Sequence, residues 1–434
     1  MAKWLSPRYK QAIDPTRTFV RSADDAIRYN LMLTFAILIL ASSFIFNTPS
    51  EILEGMQRIL VSPSILVTDY FEVGNIGAAF FNGGLLFLIG IALTTRARVS
   101  LTGPVIAALI TVAGFAFFGK NLYNAWAVPL GVFIYSQYKK DDFGKYILFA
   151  LFGTALGPMV SLVTFGMGFP VLIGVLLGNL CGIMAGFFIS PLAVHFVNFH
   201  QGYNLYNIGF TAGIIGTFFM GVFRAFGYAG QNAAIVASGN NLIMAIYLYI
   251  LFAMVLLLGL YLNKWSLKGL RELFCHSGKL VSDFILMVGL GVTLINMALL
   301  GIISTTYVLL VGGQLNGPII GGIFTIFGFA AFGKHVKNCI PIFIGVYIAA
   351  LLGIFNPSAT GPMLAALFGT TLAPIGGGFG WAYGVIAGFL HMAMVSNVGY
   401  LHGGMNLYNN GFSGGLVAAG LIPLIEVFRK KKQA

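Results

Sequence analysis

What most constrains this chain is the length of its apolar runs. Leu, Ile, Val, Phe, Ala and Gly fill stretches that approach or exceed the roughly 18–20 residues needed to cross a bilayer core. A soluble protein of 434 residues has no interior large enough to hide them, because 58% of the chain is hydrophobic and 8% is charged. The mean hydropathy is +0.90. The sequence therefore predicts a polytopic membrane protein. Hydrocarbon offers no partner to open backbone groups, so spans are helices or closed barrels. A barrel needs short segments of alternating polarity, and this chain lacks them. The fold class is all-α.

The formal charge of +12 raises nucleic acid as a partner. Its placement argues against that, since the basic residues sit in short loops and at both ends, as the positive-inside bias requires. No basic stripe with interleaved aromatics is present. Cys181, Cys275 and Cys339 show no metal-ligand spacing and read as small packing residues. Lys3, Arg8, Lys10, Arg17, Arg21 and Arg28 precede the first apolar run, and no small-residue cleavage site follows it. The first span is expected to remain as an anchor with its N-terminal side in the cytoplasm.

The chain repeats itself. Asn30-Leu31-Met32 returns as Asn241-Leu242-Ile243, 211 positions later. LTGP at Leu101–Pro104 returns as LNGP at Leu315–Pro318, and GFAFFGK at Gly114–Lys120 returns as GFAAFGK at Gly328–Lys334, both after 214 positions. FGTALGP at Phe152–Pro158 returns as FGTTLAP at Phe368–Pro374 after 216. GIMAGF at Gly182 returns as GVIAGF at Gly384 after 202, and HQGYNLYNIGF at His200 returns as HGGMNLYNNGF at His402 at the same distance. Six matches in one order, several carrying polar residues and prolines, indicate a duplication. The boundaries follow: a tail over 1–29, a first membrane repeat over 30–230, a second over 231–428, and a basic tail over 429–434.

Seven apolar segments are expected per repeat. They cover roughly 30–47, 76–95, 102–119, 122–137, 145–166, 170–197 and 204–223, then 240–262, 283–305, 313–332, 338–355, 359–377, 381–400 and 408–428. An odd number per half inverts the second half relative to the first, a common plan in transporters. Arg96 and Arg98, Lys139, Lys140 and Lys145, then Lys264, Lys268, Arg271 and Lys279, and the run Arg429 to Lys432 all fall on the cytoplasmic side of this plan. The acidic loop with Glu51, Glu54, Asp69 and Glu72 falls outside. Segments three and four of each half flank Lys120 or Lys334. They read equally as two crossings or as one re-entrant hairpin, which gives about 12–14 transmembrane or re-entrant helices and both termini in the cytoplasm.

Broken segments at matching positions in both halves point to a transport site. Three pairs qualify. Lys120, Asn121 and Asn124 match Lys334, His335 and Asn338. Thr154 matches Thr370, each before a proline. In the third, His200, Asn204, Tyr206 and Asn207 match His402, Asn406, Tyr408 and Asn409. These donors and acceptors need protein, water or solute, because lipid satisfies none of them. Two readings of the third pair stay open, a helix start at the interface and direct contact with solute. The lysines are likewise either functional ammonium groups or anchors that snorkel to the interface.

Nearly all of the twelve acidic residues are assigned to loops or termini, Glu426 lies in the last turn of a span, and no carboxylate sits mid-span. A carboxylate relay for protons is thereby disfavoured. Sodium at broken-helix carbonyls remains open, as does an anion at helix N-termini. His195, His200, His391 and His402 are further titratable candidates. No zinc-protease, serine-hydrolase or phosphate-loop motif is present. No catalytic role, cofactor or metal is expected.

The doubled signature GFA-x-FGK, FGT-x-L-x-P and H-x-G-x-N-L-Y-N-x-G-F resembles a family of bacterial inner-membrane proteins known only as a duplicated domain of unknown function. The resemblance covers about Asn30 to Phe428 and implies a multi-pass inner-membrane location but no substrate. The Gly202–Gly213 stretch is more distantly similar to the openings of urea-channel halves, without their L-P-x-x-T-x-P-F signature. The seven-plus-seven plan is similar in architecture to the uracil and anion-exchanger superfamily. The expectation is a transporter or channel for a small polar solute, neutral or anionic, with its site between the repeats and a homo-oligomer as a possible assembly. The alternative is a non-transporting scaffold or partner subunit.

Overall fold

The computed structural model describes residues 23–65, 67–228 and 234–430. The two tails therefore lie largely outside the described residues, with Lys3, Arg8, Lys10, Arg17 and Arg21.

Each half builds seven helical segments, and the protein is an all-α polytopic membrane protein. The first half contains α1 (Ala23–Phe46), α2 (Ile76–Arg96), α3 (Gly103–Phe115), α4 (Ala127–Tyr138), α5 (Phe143–Gly166), α6 (Val171–Phe196) and α7 (Asn207–Ala225). The second contains α8 (Asn241–Leu262), α9 (Leu290–Leu310), α10 (Gly317–Phe329), α11 (Val336–Leu352), α12 (Thr360–Phe379), α13 (Trp381–Val398) and α14 (Asn409–Lys430). Among the described residues, ten of these are long and apolar enough to cross a bilayer. The other four are the pairs α3–α4 and α10–α11.

Those pairs are hairpins. A 13-residue helix such as α3 is about 20 Å long, short of the roughly 30 Å hydrocarbon core. The backbone at Gly144, after α4, packs on the Ala97 carbonyl, before α3. In the second half, Asn316 before α10 donates to Thr360 Oγ1 after α11, at 3.0 Å. Each hairpin thus leaves on the face where it entered, which resolves the ambiguity that charge parity left open.

The hairpin helices α3 and α10 form the centre of the protein, and every residue of both is buried. They lie side by side and antiparallel: the start of α3 at Gly103 abuts the Ala331 carbonyl beyond the end of α10, and the start of α10 at Gly317 abuts the Phe117 carbonyl beyond the end of α3. Close approach needs glycine where they cross. A Cβ on Gly321 would lie 2.6 Å from the Gly114 carbonyl oxygen, and one on Gly114 would lie 3.0 Å from that of Gly321.

Two carboxylates clamp this pair. Asp69 Oδ1 accepts from Phe71 N at 2.9 Å and Gly317 N at 3.2 Å, while its Oδ2 accepts from Ala237 N at 2.9 Å. Asp283 Oδ2 accepts from Gly103 N at 3.0 Å, and its Oδ1 from Ile285 N and Leu286 N. Each carboxylate belongs to one half and caps the first turn of the other half's central helix, where free N–H groups favour a negative charge. The neighbouring backbone bonds match as well: Tyr70 N donates to Phe117 O at 3.0 Å and Phe284 N to Ala331 O at 3.1 Å. The sequence reading put Asp69 in the outer acidic loop and no carboxylate mid-span, and did not anticipate that such loop acids are packed inside the protein. Asp69 and Asp283 are both buried. An amphipathic helix, Pro49–Val61, occupies that loop instead.

The FGT-x-L-x-P motifs fall where α5 and α12 break into a 3₁₀ turn, at Thr154–Leu156 and Thr370–Leu372. Pro158 and Pro374 follow each turn and supply no N–H to the helical ladder. The Ala155 and Thr371 carbonyls then accept Leu407 N and Leu205 N, both at 3.0 Å, from the opposite halves.

Candidate functional site

The His/Asn islands precede α7 and α14 and are cross-braces. Asn204 Nδ2 donates to the Gly411 carbonyl at 2.9 Å, and Asn406 Nδ2 to the Gly209 carbonyl at 3.1 Å, so each island grips the other. Their Oδ1 atoms accept Tyr206 N and Tyr408 N. His200 Nε2 pairs with Asn207 Oδ1 and His402 Nε2 with Asn409 Oδ1, both at 2.9 Å. Asn207 and Asn409 reach back to the Ala193 and Val395 carbonyls. The four amides are satisfied inside the protein, whereas His200 Nδ1 and His402 Nδ1 are buried without a hydrogen-bond partner among the described residues. A buried amide needs such partners, because leaving it unpaired costs about 1–3 kcal/mol.

The hairpin tips follow the same logic. Asn124 Oδ1 accepts Asn121 N at 2.9 Å, and its Nδ2 donates to Gly119 O and Ser161 Oγ. Asn121 Nδ2 donates to Ile59 O and Tyr70 OH. In the second tip, Asn338 Oδ1 accepts His335 N at 2.9 Å and Nδ2 donates to Gly333 O. His335 caps α11 and pairs with the His276 carbonyl at 2.9 Å. Asn82 and Asn296, which the sequence reading passed over, tie each tip to α2 or α9 through carbonyl pairs that include Lys120 O and Lys334 O.

The lysines are different. Lys120 and Lys334 are 1% and 0% exposed, which rules out interface anchoring, since a snorkelling lysine keeps its ammonium in water. Lys334 Nζ donates to Tyr206 OH, and to Thr370 Oγ1 at 2.7 Å, and lies 4.5 Å from the Tyr206 ring centre. Lys120 occupies the matching tip but differs in its partners. Its Nζ lies 5.1 Å from the Phe115 ring centre and makes no hydrogen bond to a described residue. Among the described residues, Thr154 Oγ1 hydrogen-bonds locally, to Leu151 O. The Tyr408 hydroxyl is buried and has no hydrogen-bond partner among the described residues, the neighbouring Thr111 hydroxyl being donated to Ala107 O. Neither lysine forms an ion pair with a described carboxylate.

Between the lysines stands a cluster of rings. Tyr206 and Tyr408 lie 4.9 Å apart between centres. Tyr206 packs on Phe329 at 4.6 Å, and Tyr408 on Phe115 at 4.6 Å. Phe152 and Phe368 complete the cluster against Phe329 and Phe115. A cavity of about 710 Å³ leads to it on one side. Lys145, which is half-exposed and paired with Asp141 at 2.6 Å, marks its mouth. Its walls come from both halves, with Pro104, Phe149, Phe152 and Asn207 facing Leu280, Phe329 and Phe332. Tyr206 and Tyr408 both line it. That volume falls in the range of small-molecule sites. Of the sequence candidates, this geometry brings Lys334, Tyr206, Thr370, Tyr408 and Asn207 to the cavity or next to its lining.

The family described as "Protein of unknown function (DUF1576)" matches residues 48–225 and 262–427. The chain belongs to this family, and the two matched stretches correspond to its two halves. No curated protein and no solved structure matches the chain.

Proposed function

We propose that this member of the family is a transporter or channel for a small anion, built from two inverted repeats that enclose the solute path. The cavity between the halves carries the reading: it ends on the Tyr206–Tyr408 ring pair, directly against the tyrosine that holds Lys334. Two lysine amines buried without a described carboxylate carry their charge at low cost only when something negative visits them. An anion fits that deficit better than a neutral solute. The antiparallel central helices and the matched contacts of Asp69 and Asp283 support inversion of the halves. The placement of basic loops supports an inner-membrane location with both termini in the cytoplasm. No reaction is assigned to the site.

The scaffold alternative draws on the islands, whose amides are fully engaged within the protein. A cavity at the repeat interface has no role in such a scaffold. Flux separates the two. Purified protein in liposomes is expected to take up chloride, nitrate or benzoate faster than protein-free vesicles, with saturation, and Lys334→Gln is expected to abolish the uptake. Uptake no faster than in protein-free vesicles for all three anions refutes the transport reading.

A further inference from the structure

The duplication makes the two lysine–tyrosine pairs equivalent in sequence, yet they are not equivalent in structure. Lys334 holds its tyrosine and threonine on the side where the cavity opens. Lys120 holds neither Tyr408 nor Thr154. Both ammonium groups stand 5.1 Å from the corresponding phenylalanine, Phe115 or Phe329. The two amines thus occupy matching positions over their rings, and the pairs differ in what the tyrosine and threonine bind.

We propose that the two pairs alternate as an anion site: the lysine released from its tyrosine binds the anion, and in the conformation described here that lysine is Lys120. The inference rests on the transport reading and adds the residues and the ligand class. Released Lys120 carries three donors with no acceptor among the described residues, and Tyr408, which packs on the same Phe115 ring, carries a hydroxyl unpaired among them. An anion accepts from both. The charge of the ligand follows from the charge of the site, since one ammonium neutralises one negative charge and a second would be buried uncompensated. Its body follows from the surroundings, which are aromatic rings: Phe115, Phe368 and Tyr408. The ligand class is a monovalent anion with a weakly hydrated or apolar body, such as an aromatic or short aliphatic carboxylate. Phosphate, with more charge and a stronger hydration shell, fits poorly.

The test measures equilibrium binding of radiolabelled benzoate and of phosphate to the purified full-length protein. Wild type is expected to bind benzoate at least tenfold more tightly than phosphate. Lys120→Gln should weaken benzoate at least tenfold. Tyr408→Phe, which only removes a hydroxyl and keeps the ring packing, should weaken it severalfold. The decisive variant is the double change Lys120→Gln with Tyr206→Phe. It frees Lys334 from its tyrosine and should restore benzoate binding to within about threefold of wild type, an outcome that a purely structural lysine does not produce. The proposal is overturned if Lys120→Gln or, where that variant does not fold, Tyr408→Phe binds as wild type does. It is also overturned if the double change restores nothing, or if phosphate binds as tightly as benzoate. Flux distinguishes this failure from failure of the transport reading. Benzoate uptake that survives Lys120→Gln sinks the alternation alone, while the predicted binding pattern without any uptake sinks transport alone.

Discussion

Asp69→Ala tests the clamp between the halves. The substitution removes the acceptor of three backbone N–H groups, those of Phe71, Gly317 and Ala237. The Phe71 bond is local to a short turn. The Gly317 and Ala237 donors come from distant parts of the chain and stay buried once the carboxylate is gone. Each buried donor left unpaired costs about 1–3 kcal/mol, so the variant should lose roughly 2–6 kcal/mol, centred near 4. An ordinary helix N-cap is worth about 0.5–2 kcal/mol, which makes the magnitude itself discriminating. Asp69→Asn keeps one acceptor oxygen but turns an amide N–H toward a backbone N–H, and should fall between. Asp283→Ala strands one long-range donor, that of Gly103, and should cost about 1–3 kcal/mol. The assay is reversible unfolding in mixed micelles, followed by tryptophan fluorescence. Gly317→Ala offers an independent check, because its Cβ would meet both Asp69 Oδ1 and the Phe117 carbonyl at 2.4 Å. Combined with Asp69→Ala it should be non-additive, as expected for residues that share one contact. A loss below about 1 kcal/mol for Asp69→Ala would refute the clamp, since it would mean that both donors find other partners.

Two further outcomes follow from the geometry. In a background lacking the native cysteines, Ala97→Cys and Tyr138→Cys should react with a membrane-impermeant thiol reagent from the same side of sealed vesicles; labelling from opposite sides would show that α3 and α4 cross the membrane separately. Asn204→Ala and Asn406→Ala should each lower stability by about 1–3 kcal/mol, through the lost acceptors of Tyr206 N and Tyr408 N and the lost bonds to the Gly411 and Gly209 carbonyls, and leave benzoate affinity of the folded protein unchanged. Lost affinity at unchanged stability would return these amides to the solute path.

The segments were legible in the sequence because each carries an uncompensated apolar run, and all seven per half appear near their expected positions. The hairpins were not, because charge counts only the faces on which a segment starts and ends. The clamp was missed for a different reason. The signal was present: Leu66-Val67-Thr68-Asp69-Tyr70 returns as Leu280-Val281-Ser282-Asp283-Phe284 after 214 positions, the same distance that separates the starts of α3 and α10. An acid beside Glu72 in a loop reads as solvated until its partner is known, and the partner here is a backbone N–H about 180 or 250 residues away along the chain. Burial of the lysines was hidden likewise, since a helix end looks like an interface until the hairpin is seen to end inside the protein.

The difference between Lys120 and Lys334 was beyond any reading of residues. Duplication gives both tips the same lysine but not the same neighbours, with Phe117 and Asn121 in one against Ala331 and His335 in the other, and neither pattern nor spacing converts those differences into one engaged and one released lysine. Under the proposed alternation, binding of both lysines to their tyrosines at once would leave neither free for an anion. In that same alternation, a cavity and an engaged pair on the same side mark the end that is open. A ligand shifts such an equilibrium only by its differential affinity for the two arrangements. A monovalent anion that binds the released lysine and competes with the tyrosine for it supplies that difference at either end.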